Sequence, residues 1–171
     1  MQTSSRRVAQ AVILVAVGVA LSPFTSFPIG IATVNPTQHF VNILAAVLLG
    51  PWWAMTIAAI IGALRNVLGV GTLLAFPGGM IGALLAGYAY RYTRNLYLGA
   101  VGEIIGTGIL GALVSGLLVA PVFMDSRMAL TILIASFLAS AAVGAVLGLL
   151  ALRLLERAGY VDFDGPATPG A

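Results

Sequence analysis

The chain has no cysteine, a single histidine and only five carboxylates among 171 residues, and its eight basic residues are all arginine. Without cysteine it forms neither disulfides nor thiolate metal sites. One histidine with scattered carboxylates is too small a ligand set for a catalytic metal. No phosphate-binding loop with its lysine occurs, so the chain does not hydrolyse ATP by itself. Gly69-Val70-Gly71 lacks both the further glycine and the preceding strand of a dinucleotide site. A serine nucleophile would have His39 as its only base, with no evident orienting acid. No cofactor is expected.

Charge of either sign is scarce, at 8% of residues against about 25% in soluble domains. The chain is instead 60% hydrophobic, with a mean hydropathy of +1.08. A spanning helix takes roughly 20 apolar residues, so the length holds about five to seven spans and no sizeable globular domain. An isoelectric point near 9.8 would point to nucleic acid in a soluble protein. Here the arginines flank apolar runs and read as a topology signal. Ser5-Arg6-Arg7 before an apolar run resembles an export signal, but the remaining chain is equally apolar, and the segment reads as a retained first span.

The fold class expected is an all-α integral membrane protein, a six-helix bundle with both termini cytoplasmic. Residues 1–160 form the single membrane domain, with spans at 8–22, 39–49, 52–64, 77–91, 96–120 and 127–155. The tail, 161–171, is polar and rich in Pro and Gly, the composition of a disordered segment. Pro23 is expected to end the first span and Pro121 the fifth, because proline cannot continue a helix. Pro77 suits the first turn of the fourth helix, where its missing N–H costs nothing. Gly50-Pro51 either kinks one span or separates two. Two spans gather Arg6, Arg7, Arg91, Arg94, Arg153 and Arg157 on the inner side and leave only Arg65 and Arg127 outside, which the positive-inside rule favours.

Between the first two spans, residues 22–38 hold Pro23, Pro28 and Pro36 and no charge. With Phe24, Phe27, Ile29, Ile31 and Val34 the segment is too apolar for a solvated loop, and it is expected to lie across the bundle mouth as a lid. Polar side chains at membrane depth are costly and face interior cavities. Gln38, His39, Asn42, Arg65 and Asn66 fall at one level near this lid and could converge on a small polar ligand. Each also has a plain structural reading: His39 as a cap, Arg65 reaching the headgroups, Asn42 bridging helices. Trp52 and Trp53 read as interfacial anchors. Glu103 sits alone in an apolar run, roughly 10 Å above the inner start of its helix. Arg91 and Arg94 are near it in depth, so pairing with them and contact with a ligand are both open. Small residues four apart mark close helix contacts: Ser136, Ser140, Gly144 and Gly148; Gly78, Gly82 and Ala86; Ala16 and Ala20.

The blocks Pro36-Thr37-Gln38-His39-Phe40-Val41-Asn42, Leu48-Leu49-Gly50-Pro51-Trp52, Leu64-Arg65-Asn66, Gly71-Thr72-Leu73-Leu74-Ala75-Phe76-Pro77-Gly78 and Gly102-Glu103-Ile104-Ile105-Gly106-Thr107-Gly108 together resemble the ThiW family. Those proteins are substrate-binding S components of energy-coupling factor (ECF) transporters. The resemblance covers about residues 8–125; the segment from Ile29 to Asn35 departs from the family wording, and the likeness fades beyond Pro121. It implies a multi-pass cell-membrane subunit, not an enzyme, that takes up the thiazole precursor of thiamin, hydroxyethylthiazole. Gln38, His39, Asn42, Arg65, Asn66 and Glu103 lie in matching blocks and are the implied substrate-binding candidates. The implied partners are a small-molecule substrate, membrane lipid, a transmembrane T component and two cytoplasmic ATPases, with Ala16 and Ala20 as the docking surface for the T component. Two rival classes are a membrane-embedded enzyme and an accessory bundle. The enzyme reading needs His39 and Glu103 to meet, although the topology sets them on different sides of the bilayer centre; a separation above about 10 Å would end it. Another S component, for a different small vitamin, is the milder alternative.

Overall fold

The computed structural model describes residues 4–125 and 129–163. Helix α1, Ser4–Thr25, is followed by a two-stranded antiparallel hairpin, β1 Phe27–Ile29 and β2 Ala32–Val34. The remaining helices are α2 Pro36–Leu48, α3 Pro51–Val67, α4 Ala75–Thr93, α5 Leu96–Phe123 and α6 Leu130–Arg157. Of these, α1, α5 and α6 are long and apolar enough to cross a membrane by length and composition. Helix α2 has 13 residues, about 20 Å of rise. It falls short of a hydrocarbon core of about 30 Å.

The hairpin departs from the all-α expectation. Phe27 pairs with Val34 and Ile29 with Ala32, and Gly30 supplies the turn at φ 59°, a region costly for other residues. Pro28 lies within β1, where its fixed φ suits extended backbone and its missing N–H would cost a bond in a helix interior. β1 is outward and exposed, whereas Ala32 and Val34 of β2 are buried against Leu74, Ala112, Leu133 and Phe137. A lid therefore covers this end of the bundle as an ordered hairpin.

Prolines end fewer helices than expected. Helix α1 runs through Pro23 to Thr25. The side chains of Ser22 and Thr25 bond the carbonyls of Gly18 and Leu21, so the final turn holds without the proline N–H. Likewise α5 passes Pro121 and ends at Phe123. Helix α4 starts two residues ahead of Pro77, at Ala75. Gly50, at φ 95°, and Pro51 in the first turn of α3 divide α2 from α3. Asn35 caps α2, accepting from Gln38 N at 2.8 Å, and Asn95 caps α5 through Tyr97 N and Leu98 N. Arg127 and residues 164–171 of the tail lie outside the described residues. Nearer the helix, Phe163 meets the ring of Tyr90 edge-on at 6.3 Å.

Glycine sets the helix spacing around α4. A Cβ on Gly106 would fall 2.7 Å from Gly82 Cα, and one on Gly111 would collide with Gly78 Cα, so α5 and α4 touch backbone to backbone. Ser136, Ser140, Gly144 and Gly148 line the buried face of α6. Gly144 sits against Pro36 O and His39 Cβ, and Gly148 against Ile43. Two segments of α5, Gly106–Gly111 and Ser115–Val119, are wound as wider π turns, a feature often found at functional sites. Large apolar side chains point outward, among them Val12, Ile13, Leu117, Leu118, Leu150 and Leu154, as a lipid-facing surface requires.

Candidate functional site

The N-terminal half of α2 aims three polar side chains into the bundle. His39 and Asn42 share a face one turn apart, and both meet Glu103 of α5. His39 Nδ1 is 2.8 Å from Glu103 Oε1, and Asn42 Nδ2 donates to the same oxygen at 2.9 Å. Asn42 Nδ2 also reaches Gly79 O at 3.1 Å. Thr107, one turn beyond Glu103, places its hydroxyl 3.1 Å from Oε1 and 3.0 Å from Gly78 O. Glu103 is fully buried, where an ionised carboxylate survives only if paired and hydrogen-bonded. Its Oε1 carries all these contacts, while Oε2 has no hydrogen-bond partner among the described residues.

This geometry corrects two expectations. Glu103 pairs with His39, not with Arg91 or Arg94, which lie at the far end of α4. His39 and Glu103 also lie at the same depth rather than on opposite sides of the bilayer centre. The cause is the shortness of α2: His39 is nine residues from its C-terminal end, about 14 Å by rise. Glu103 is seven residues into α5, about 10 Å from the same end of the bundle. The contact between them thus removes the distance ground for rejecting an enzyme, and the question passes to the family relationship below.

Above this pair, Arg65 at the end of α3 is 1% exposed. Its guanidinium donates to Gln38 Oε1, Ser26 Oγ and Val70 O. Gln38 in turn reaches Ala58 O at 3.4 Å. Among the described residues these three partners of Arg65 are neutral, and its Nε has none. Asn35, besides capping α2, donates to Ser26 Oγ at 2.7 Å and to Ser22 O at 3.3 Å. Arg65 and Asn35 therefore meet at Ser26 and fasten the hairpin to both α1 and α3. Asn66 stands apart, since its amide bonds Gly62 O and Thr72 O and shapes the loop after α3.

Gln38, His39 and Arg65 border one cavity beneath the hairpin, closed on its other sides by Asn35, Phe137 and Ser140. Its volume is about 20 Å³, room for roughly one water molecule. Ser140 is 4% exposed and its hydroxyl has no partner among the described residues. Thr107, Phe137 and Ser140 were not singled out as site residues from the sequence. Thr107 carries a signal in the sequence, as the hydroxyl four residues after Glu103, whereas Ser140 fits the sequence pattern only as a small residue for helix packing. Elsewhere, an apolar groove of about 590 Å³ runs between α1 and α3, lined by Ala16, Ala20, Ile57 and Ile60 among others.

The fold resembles that of a solved protein described as the S component of a bacterial ECF transporter. The TM-score is 0.68, with 19% identity, over 92% of this chain and 98% of that one. No curated protein sequence gives a significant match. The family described as "Thiamine-precursor transporter protein (ThiW)" matches residues 8–158, extending past Pro121, where the sequence likeness had faded. This chain belongs to the ThiW family, and is accordingly a multi-pass membrane transporter protein of the cell membrane rather than an enzyme.

Proposed function

We propose that this chain is the substrate-capturing S component of an ECF-type importer, and that its substrate is hydroxyethylthiazole, destined for thiamin synthesis. The observation that carries this reading is the small cavity under the hairpin, bordered by Gln38, His39, Arg65, Phe137 and Ser140. A small ring with one hydroxyl group suits an apolar cavity with a few placed polar groups. Phe137 would cover the ring, while His39 and the free Ser140 hydroxyl would meet its nitrogen or hydroxyl group. Asn42 and Glu103 would fix the His39 tautomer and orientation from behind.

A ligand of this size exceeds about 20 Å³, so capture requires the hairpin to lift and Arg65 to release Gln38 or Ser26. Binding energy would then favour reclosure over the ligand. The six helices would run alternately up and down the membrane, α2 reaching through only part of the hydrocarbon core, with both termini and most arginines cytoplasmic, so that the hairpin faces outward. Transport would draw on a T component and two cytoplasmic ATPases. The exposed Ala16 and Ala20, in the groove between α1 and α3, would receive the T component, because small residues permit close helix approach in lipid.

Thermal unfolding of the purified protein with hydroxyethylthiazole, thiamin, its pyrimidine precursor and other small vitamins tests this reading. Stabilisation by the thiazole above the others supports it. A larger shift with another vitamin transfers the proposal to that ligand, and no shift with any of them refutes it.

A further inference from the structure

A second cavity lies at the opposite end of the bundle from the hairpin, where α1 and α3 begin and α2 and α4 end. Its volume is about 280 Å³, and Arg7, Arg91, Arg94, Trp52, Trp53 and Tyr90 line it. Among the described residues no acidic side chain borders it, and no ion pair engages Arg7 or Arg91. Arg94 lies 6.0 Å from the centre of the Tyr90 ring, and its left-handed backbone, φ 56°, lets the chain turn back toward the bundle there. The rest of the wall is apolar, from Ala46, Val47, Leu48 and Leu49 of α2 and the following residue. Trp53 belongs both to this cavity and to the apolar groove between α1 and α3. A basic chamber at headgroup level thus continues into a surface of acyl-chain character, starting at Val8 and Val12.

We infer that this chamber binds an anionic phospholipid, its phosphate held by Arg7, Arg91 and Arg94 and one chain lying past Trp53 on the near end of the groove, along Val8 and Val12 and short of Ala16 and Ala20. Basic pockets between spanning helices hold anionic headgroups by the same chemistry. Three guanidiniums provide more donors than one phosphate needs, and no described residue lining the chamber carries a negative charge. Free phosphate shares that headgroup chemistry but makes no use of the apolar wall, which is why a lipid is assigned. The inference is independent of the thiazole assignment and needs only that this end of the bundle lies at a membrane face.

The chain's two tryptophans, Trp52 and Trp53, both line the chamber, so their fluorescence reports its occupant directly. Full-length protein would be reconstituted in vesicles of phosphatidylcholine containing a fixed fraction of brominated phosphatidylglycerol or brominated phosphatidylcholine. Phosphatidylglycerol should quench the tryptophans well beyond its mole fraction. Arg91→Gln with Arg94→Gln should lower that preference roughly fivefold for each arginine removed. Arg6→Gln with Arg157→Gln removes the same charge from this end without touching the chamber, and should leave the preference largely in place. Equal quenching by the two lipids, or equal loss in both double variants, would show only general surface attraction and overturn the inference. Loss of the preference on adding inorganic phosphate would reassign the chamber to a free anion and overturn the lipid.

Discussion

His39 Nδ1 lies 2.8 Å from Glu103 Oε1 although the two residues are 64 positions apart in the chain. The pair joins the start of α2 to α5 through the middle of the bundle, and Asn42 and Thr107 complete the shell around the same carboxylate oxygen. Glu103→Ala would leave these buried donors without their acceptor, at about 1–3 kcal/mol for a group left unsatisfied. Thermal unfolding of the variant should begin several degrees below wild type, and thiazole binding should weaken at least tenfold. Glu103→Gln, which keeps one acceptor oxygen, should recover part of the stability. Wild-type unfolding and binding in Glu103→Ala would contradict this role.

Gly82 makes room for that shell. A Cβ there would lie 2.9 Å from both Glu103 carboxylate oxygens and would collide with the Thr107 hydroxyl. Gly82→Ala should therefore destabilise by about 1–3 kcal/mol, the cost of overpacking a buried site. Gly62→Ala meets only ordinary contact with Phe76, at 3.4 Å or more. It should be neutral or stabilising, since alanine is the better helix former by up to about 1 kcal/mol. Unfolding curves of the two variants give the comparison, and the same sign in both would refute the packing argument.

Asn35 ties the hairpin to α1 while capping α2. Asn35→Ala should lower stability by about 1–2 kcal/mol, the usual worth of an N-cap, and should also loosen the lid. Ligand dissociation, followed by stopped-flow fluorescence, is expected to accelerate more than association changes. A variant that unfolds earlier yet releases ligand at the wild-type rate would separate capping from lid closure.

Arg65 reaches Gln38, Ser26 and Val70 from one planar fork, which a lysine ammonium cannot reproduce. Arg65→Lys should preserve the charge but weaken thiazole binding by roughly tenfold, the loss of about one hydrogen bond from the lid anchor. Calorimetric titration checks this, and unchanged affinity would move Arg65 out of the capture mechanism.

Ala16→Trp fills the groove between α1 and α3 without touching the hairpin cavity. Uptake by cells carrying the complete transporter should be abolished while the purified variant binds thiazole as wild type does. Loss of both functions would indicate a folding defect and remove the support for docking at this groove.

Local chemistry in the sequence made several of these features legible. Gly50 and Pro51 mark the break between α2 and α3 because one adopts a positive φ and the other suits a first helical turn. Gln38, His39, Asn42 and Arg65 stood out as costly polar groups in apolar surroundings, and the fold brings them to adjoining sites. The partner of Glu103 was not legible. Charge parity orders helix ends but says nothing about how deep a 13-residue helix sits, and that depth decides whether His39 or an arginine reaches the carboxylate. Asn66 does not border the cavity, because adjacency to Arg65 in sequence rotates a side chain by about 100° around a helix. Pro23 and Pro121 each fall two residues before the end of their helices, so they mark those ends to within a turn.

The most direct test of the central claim is calorimetric titration of hydroxyethylthiazole into purified wild-type protein and into Asn42→Ala. Saturable one-to-one binding to wild type is expected, weakened about tenfold or more by loss of the amide that holds Glu103 and Gly79. No binding to wild type, or equal affinity in both proteins, would contradict the assignment of this cavity to the thiazole.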